Sequence, residues 1–127
     1  MTSLSVPSFT ATIYVGAKDL ATGAVVSYET LIAELQTYVN TVGAGTPAGC
    51  LTVTPTQYIY VGGREEGYAI GFINYPRFPA PPADIKSSAL KLARWLVTLL
   101  RQCRASVVLP EETIMITTEE AVPKVDV

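Results

Sequence analysis

The order in which strand-like and helix-like patterns follow one another limits the fold of this chain more than any other feature. Residues 9–16 alternate apolar and polar side chains, which is typical of a half-buried strand. Leu31 and Leu35 then recur at helical spacing behind Ser27, a residue type that caps helices well. Gly43 ends that pattern. A helix is therefore expected directly after the first strand.

Two further strands are predicted in the middle of the chain. One begins near Cys50, and Pro55 within it predicts a bulge or an edge position, because proline cannot donate to a sheet ladder. Residues 62–67, GGREEG, indicate a hairpin connection, and residues 68–75 indicate the returning strand. The two strands should pair in antiparallel fashion.

The last third predicts a long helix and a final strand. Asp84 is placed to begin a helix that extends to about residue 104, and segments on both sides of Pro110 supply a fourth strand. The resulting β-α-β-β-α-β order is the ferredoxin-like arrangement. The predicted fold is therefore α+β, with a four-stranded antiparallel sheet and both helices on one face.

Composition favours one self-associating domain. The 127 residues fit a single α+β domain, with residues 1–8 and 118–127 as flexible ends. Hydrophobic residues make up 49% of the chain and charged residues only 16%, against about a quarter in typical domains. The apolar residues of the predicted second helix surround well over half of its circumference, whereas packing on a sheet needs one stripe of about 100°. We therefore expect a homodimer or a higher oligomer, formed through this helix or the open sheet face.

Several classes of function are excluded by residue content. The net charge of −2 argues against duplex nucleic acid as a partner. A membrane span is not expected, because cations interrupt the apolar helix. The chain contains no histidine, which removes Ser-His-Asp, Cys-His and histidine-containing zinc sites. Cys50 and Cys103 are expected to be free thiols in a reducing cytoplasm. No catalytic residue, metal or cofactor is predicted.

The segment INYPRFPAPP, residues 73–82, is the strongest candidate for a binding site. Asn74, Tyr75, Arg77 and Phe78 offer an amide, two aromatic faces and a planar guanidinium on a backbone that prolines stiffen. Aromatic stacking together with an arginine suits a nucleobase and its phosphate. Arg64, in the predicted hairpin, is the supporting candidate.

Three alternatives remain open from the residues alone. The proline-rich segment could simply connect a strand to a helix and seal the edge of the core. The protein could be a structural or interaction module without a small-molecule ligand. It could also be a histidine-free enzyme that uses Glu65 or Glu66 for acid–base chemistry, although neighbouring side chains in a turn diverge.

Several segments of this sequence resemble those of small phage-type proteins of one α+β domain. The resemblance spans residues 9 to about 117 and lies in the segments ATIYVG, CLTVTPTQYIYVGG, GFINYPRFP and SVVLPEETIMI. Phage proteins of this size include anti-defence sponges, oligomers that trap nucleotide-type immune signals without destroying them. The resemblance carries over no functional residue. It implies a phage protein that acts in the host cytoplasm.

These observations together predict a non-catalytic, homo-oligomeric binding protein. Its expected ligand is small, anionic and nucleotide-like, and its expected action is sequestration rather than turnover. The prediction depends on the absence of reactive side chains and on the apolar surplus.

Overall fold

The computed structural model describes residues 1–19 and 21–118 of the chain. Its elements in chain order are β1 (Thr10–Gly16), α1 (Tyr28–Val42), a 3₁₀ turn (Pro47–Gly49), β2 (Thr52–Tyr60), β3 (Gly63–Ile73), α2 (Pro82–Leu99), β4 (Arg104–Val108) and β5 (Thr113–Thr117). Residues 1–9 carry neither helix nor strand. The predicted flexible C-terminal end lies, apart from Thr118, outside the described residues.

The five strands form one open antiparallel sheet in the order β2-β3-β1-β4-β5. The predicted α+β class with two helices is confirmed. The prediction of a four-stranded ferredoxin-like sheet is wrong in its strand count, because the chain around Pro110 turns back on itself. Leu109 N donates to Glu112 O at 2.8 Å, and β5 then pairs along β4.

The connection between β2 and β3 is shorter than the sequence predicts. Only Val61 and Gly62 form the turn, and Gly62 has a φ of 87°, which glycine adopts without a Cβ penalty. Residues 63–67 of the predicted connection GGREEG instead begin β3, which pairs with β2 from Gly63 onward. Pro55 lies in β2 at the edge of the sheet, as one of the two predicted outcomes requires.

Both helices contribute to one core on the same face of the sheet. Alternate β1 residues, Ala11, Ile13 and Val15, join Leu31 of α1 and Leu92 of α2 in that core, and each is at most 1% exposed. Burial of such side chains is the main source of stability in a domain of this size. The helices therefore leave the opposite sheet face uncovered.

The apolar surplus of α2 is largely covered within the chain itself. Trp95 packs against Tyr38 of α1, with ring centroids 4.8 Å apart. No α2 residue is among the large apolar side chains that the described structure exposes. Burial of a flank of this helix against another copy stays a prediction.

The uncovered sheet face carries most of the exposed apolar groups that lie within strands. Tyr14, Ile73, Val108 and Met115 share this face and are each about 40% exposed, from 38% to 43%. Among the described residues, no helix has the length and apolarity needed to span a membrane.

Candidate functional site

A groove runs beside the outer end of the β2–β3 hairpin. It has a volume of about 540 Å³, and the loop between β1 and α1 forms the wall opposite the hairpin. The lining residues, here called the hairpin groove, are Lys18, Gly23, Val25, Gln57, Ile59, Tyr60, Arg64, Glu65 and Glu66. The groove thus combines two cations, two carboxylates and apolar surface.

A second cavity continues the hairpin groove toward the start of α1. It measures about 240 Å³ and shares Val25, Gln57 and Glu66 with the first. Its remaining wall includes Tyr28 and Tyr68, whose ring centroids lie 6.4 Å apart. The two cavities form one continuous depression with a charged half and an aromatic half.

Glu65 and Glu66 serve opposite faces of the sheet, because successive side chains in a strand point to opposite sides. Glu66 is paired with Gln57 and lies two residues before the core residue Tyr68, so it faces the helix side and the groove. Glu65 lies opposite Tyr58 on the uncovered face. The two carboxylates therefore leave opposite faces of the strand, although both belong to the lining of the groove.

The polar groups of the groove are not used by the fold. Within residues 1–19 and 21–118, the side chains of Lys18, Gln57, Arg64 and Glu66 make no hydrogen bond or ion pair. Exposed charges without partners keep their full capacity to bind a charged ligand.

Two tyrosines next to the groove have structural roles. The Tyr58 ring lies over Gly67, where a Cβ would clash with it, and its hydroxyl donates to Val15 O at 3.2 Å. Burial raises the pKa of the Tyr58 phenol well above its ordinary value. Burial, together with the charge of Glu66, also raises the pKa of Tyr68, which donates to Val26 O at 2.6 Å. Both phenols are thus neutral donors at physiological pH.

The proline-rich segment predicted to bind a ligand is partly occupied by structural bonds. Asn74 Nδ2 donates to Pro7 O at 2.9 Å, and Asn74 Oδ1 accepts from Ala80 N at 3.0 Å. Its backbone N–H also donates to Phe9 O. The oxygen and the nitrogen of the Asn74 amide thus join the segment before β1 to the loop before α2.

The aromatic residues of this segment contact each other. The Tyr75 and Phe78 rings lie 5.2 Å apart with a tilt of 40°, and both are half-buried. A hydrogen bond with Cys50, followed by burial, raises the pKa of Tyr75. Arg77 is exposed and, within the described residues, makes no hydrogen bond or ion pair. A ligand contact at this segment stays a prediction.

The structure does not bring the five predicted binding residues together. Arg64 lies near the start of β3 and Asn74 follows its end. Ten residues of extended strand separate them by about 33 Å, at about 3.3 Å per residue. Asn74, Tyr75, Arg77 and Phe78 form one cluster, and Arg64 belongs to the hairpin groove.

The sequence analysis did not name Lys18, Gln57 or Tyr28, which line the two cavities. Lys18 belongs to the loop between β1 and α1 and Tyr28 begins α1, so their approach to the hairpin depends on the tertiary fold. Gln57 could have been singled out from the sequence. It is an exposed amide on the edge strand, two residues from Pro55, and its side chain points to the face opposite the tyrosines. In the described part of the chain, no cluster of three or more acidic or cysteine side chains could hold a metal ion.

Comparison with known proteins supplies a fold relationship. No protein family and no curated protein matches the sequence. A solved phage SAM lyase in complex with S-methyl-5′-thioadenosine is similar with a TM-score of 0.66 and 15% identity, over 96% of this chain and 98% of that one. A phage SAM lyase in the apo state is similar with a TM-score of 0.67 and 15% identity, over 90% and 92% of the two chains.

These structures overturn the predicted absence of catalysis. The same fold, over nearly the full length of both chains, is that of an enzyme that acts on a small molecule. The prediction of a non-catalytic sponge is therefore corrected, as is the prediction that the protein is not an enzyme. A chain without the usual reactive side chains is therefore not excluded from catalysis.

Proposed function

We propose that this protein is a lyase that binds S-adenosylmethionine and releases S-methyl-5′-thioadenosine. The observation that carries the proposal is the match of fold along almost the whole of both chains to a SAM lyase with that thioether bound. The hairpin groove and the cavity beside it supply charged and aromatic groups that suit this substrate.

The chemistry of the substrate explains how a chain without histidine can catalyse its cleavage. The sulfonium leaves as a neutral thioether, so no acid is required to protonate it. The substrate's own α-carboxylate can attack the γ-carbon; the new O–C bond closes a five-membered lactone while the S–C electron pair moves to sulfur. No water and no proton are consumed. The protein has to bind and orient the substrate, and such intramolecular positioning accelerates reactions strongly.

The charges of the hairpin groove complement the parts of this substrate. Glu66 offers a carboxylate to the sulfonium and the ammonium group, and Arg64 and Lys18 offer cations to the substrate carboxylate. The aromatic half, with Tyr28, offers a flat apolar surface to the adenine ring. The contact between Glu66 and the sulfonium must be weak, because the positive charge on sulfur is lost in the transition state. A strong contact would stabilise the bound substrate instead.

Self-association belongs to the same proposal. The uncovered sheet face exposes Tyr14, Ile73, Val108 and Met115 on four neighbouring strands, which is a surface suited to a second copy. A homo-oligomer would bury these groups. Light scattering coupled to size exclusion tests this, and a monomer at micromolar concentration contradicts it.

A phage origin and an anti-defence role are part of the proposal as well. Both similar structures are phage proteins. Removal of S-adenosylmethionine in the host cytoplasm would deprive host enzymes of their methyl donor. We expect methyl transfer to be lost in cells that express the chain and to be kept in cells that express an inactive variant.

The direct test is an assay of the purified protein with S-adenosylmethionine. We expect S-methyl-5′-thioadenosine to form faster than in buffer alone, together with a four-carbon lactone detected by mass spectrometry. Early samples taken in H₂¹⁸O should contain no ¹⁸O in the lactone, because no water enters the step. S-adenosylhomocysteine is the matched control substrate, since it lacks the sulfonium and should not react. A rate equal to that of buffer contradicts the proposal.

A further inference from the structure

One wall of the hairpin groove is a loop that is closed on itself. Lys18 and Val25 of this loop pair in an isolated antiparallel bridge, and both line the groove. Asp19 N donates to Ala24 O at 2.7 Å, and Asp19 Oδ1 accepts from Ala21 N at 2.8 Å. These bonds tie Lys18 and Asp19 to residues 21–25, so the position of this wall over the groove depends on what holds it from outside.

The turn after α2 holds this loop by two side chains. Gln102 Nε2 donates to the carbonyl of Lys18. Arg101 Nε lies 3.3 Å from Asp19 Oδ2, on a carboxylate whose side chain is only 16% exposed. The contact joins residues more than 80 positions apart in sequence, and it places one end of α2 beneath the wall of the groove.

The backbone of Arg101 is unusual for an arginine. Its φ is 56°, the only positive φ of a non-glycine residue in the described chain. It follows the C-cap residue of α2, a position that glycine normally takes because it pays no Cβ penalty there. Residues held in this conformation persist where their surroundings over-determine them, often at functional sites. A glycine would suit the backbone better but could not reach Asp19.

We infer that Arg101 is a positioning residue that fixes the loop of residues 18–26 as the substrate-facing wall of the hairpin groove. The inference rests on the proposed function and adds a residue that touches no substrate. Arg101 lies outside the lining of both cavities, so any effect on the substrate passes through Asp19 and the loop.

Arg101→Gly separates this role from a merely structural one. Glycine relieves the left-handed backbone, so the thermal midpoint should stay the same or rise. Loss of the contact to Asp19 should nevertheless raise KM for S-adenosylmethionine roughly two- to fivefold, the range expected for a partly exposed ion pair, with kcat changed less than KM. Arg101→Lys keeps the charge and should recover part of the KM.

Asp19→Asn tests the same contact from its other side. The asparagine Oδ1 can still accept from Ala21 N, so the internal shape of the loop is kept while the charge is removed. It should raise KM as Arg101→Gly does, and the double variant should be little worse than either single one. Arg94→Ala, an exposed arginine of the same helix, is the matched control and should change nothing.

Amide hydrogen exchange in the unliganded protein makes the outcome independent of catalysis. Exchange of residues 18–26 should be faster in both variants, with the sheet unchanged. Unchanged loop exchange, or faster exchange with an unchanged KM, overturns the inference. A wild-type protein that cleaves no S-adenosylmethionine overturns the proposed function instead, and loop exchange then decides alone whether Arg101 holds the wall.

Discussion

The two ends of β3 use their polar side chains in opposite ways. At the far end, Asn74 ties Pro7 to Ala80 and the Tyr75 and Phe78 rings pack on each other. At the near end, Arg64 and Glu66 make no hydrogen bond or ion pair within the described residues. Polar groups that the fold already satisfies stabilise the fold, whereas groups that it leaves unpaired beside a cavity are available to a ligand.

Removal of the groove carboxylate should give the largest effect. Under the proposed function, Glu66→Gln keeps the shape but removes the carboxylate that binds the substrate's ammonium group, so kcat/KM for S-adenosylmethionine should fall by about ten- to a hundredfold, as for loss of a charged hydrogen bond. Steady-state kinetics checks this. Glu111→Gln, an exposed glutamate outside the hairpin groove, is the control and should behave as wild type. A Glu66→Gln variant with the kcat/KM of wild type would show that the groove is not the substrate site.

A matched arginine pair tests the two ends directly. Arg64→Gln should weaken binding of S-adenosylmethionine by about tenfold, because one of two cations near the substrate carboxylate is lost. Arg77→Gln serves as the comparison, since Arg77 is equally exposed but lies beyond the other end of the strand. Isothermal titration with an unreactive analogue measures both. Weakening by Arg77→Gln alone would move the site to the proline-rich segment.

A change at Asn74 should affect stability and leave activity intact. Asn74→Ala removes two hydrogen bonds between distant segments, so the free energy of unfolding should fall by about 1–2 kcal/mol. Urea denaturation measures this loss. kcat/KM at a temperature where the variant is folded should equal that of wild type. A stable variant with lost activity would show that the amide binds substrate.

The smallest effect is expected at Tyr58, in alkaline solution. Burial holds the folded pKa above the ordinary value of 10.0, so the phenol ionises first in the unfolded chain. The contribution of Tyr58 to stability is therefore complete below pH 10 and is lost as the pH rises from there toward the folded pKa. Urea denaturation at pH 9 and pH 11 should show a smaller loss in Tyr58→Phe than in wild type. Equal losses would indicate an accessible phenol.

The strand and helix patterns predicted most elements because local periodicity reports which face is buried. Ser27 accepts a hydrogen bond from Thr30 N as the predicted cap, and Gly43 ends α1. The errors lie where a turn had to be placed. The glycines and charged residues of GGREEG predict a six-residue loop, but Val61 and Gly62 form the whole turn. The sequence pattern predicts that Pro110 interrupts one strand, whereas in the structure the chain reverses there between β4 and β5.

The binding-site prediction shares only Arg64 with the groove for a related reason. It selected residues that lie next to one another in sequence, and Asn74, Tyr75 and Phe78 do form a cluster, held mainly by their own contacts. The groove assembles Lys18, Gln57 and Arg64 from three separate segments. The hairpin pattern predicts that Gln57 and Arg64 lie near each other, but nothing in it indicates that Lys18 lies beside them.

The sequence by itself determined the α+β class, the two amphipathic helices and the absence of histidine chemistry, because these depend on residue content and on short-range periodicity. Only the tertiary structure decided that a fifth strand extends the sheet, that Trp95 is covered by Tyr38, and that Glu65 and Glu66 face opposite sides. It also decided that Arg101 meets Asp19. Each of these depends on which distant segments pack together, and that choice is made by the free energy of the whole core rather than by any local pattern.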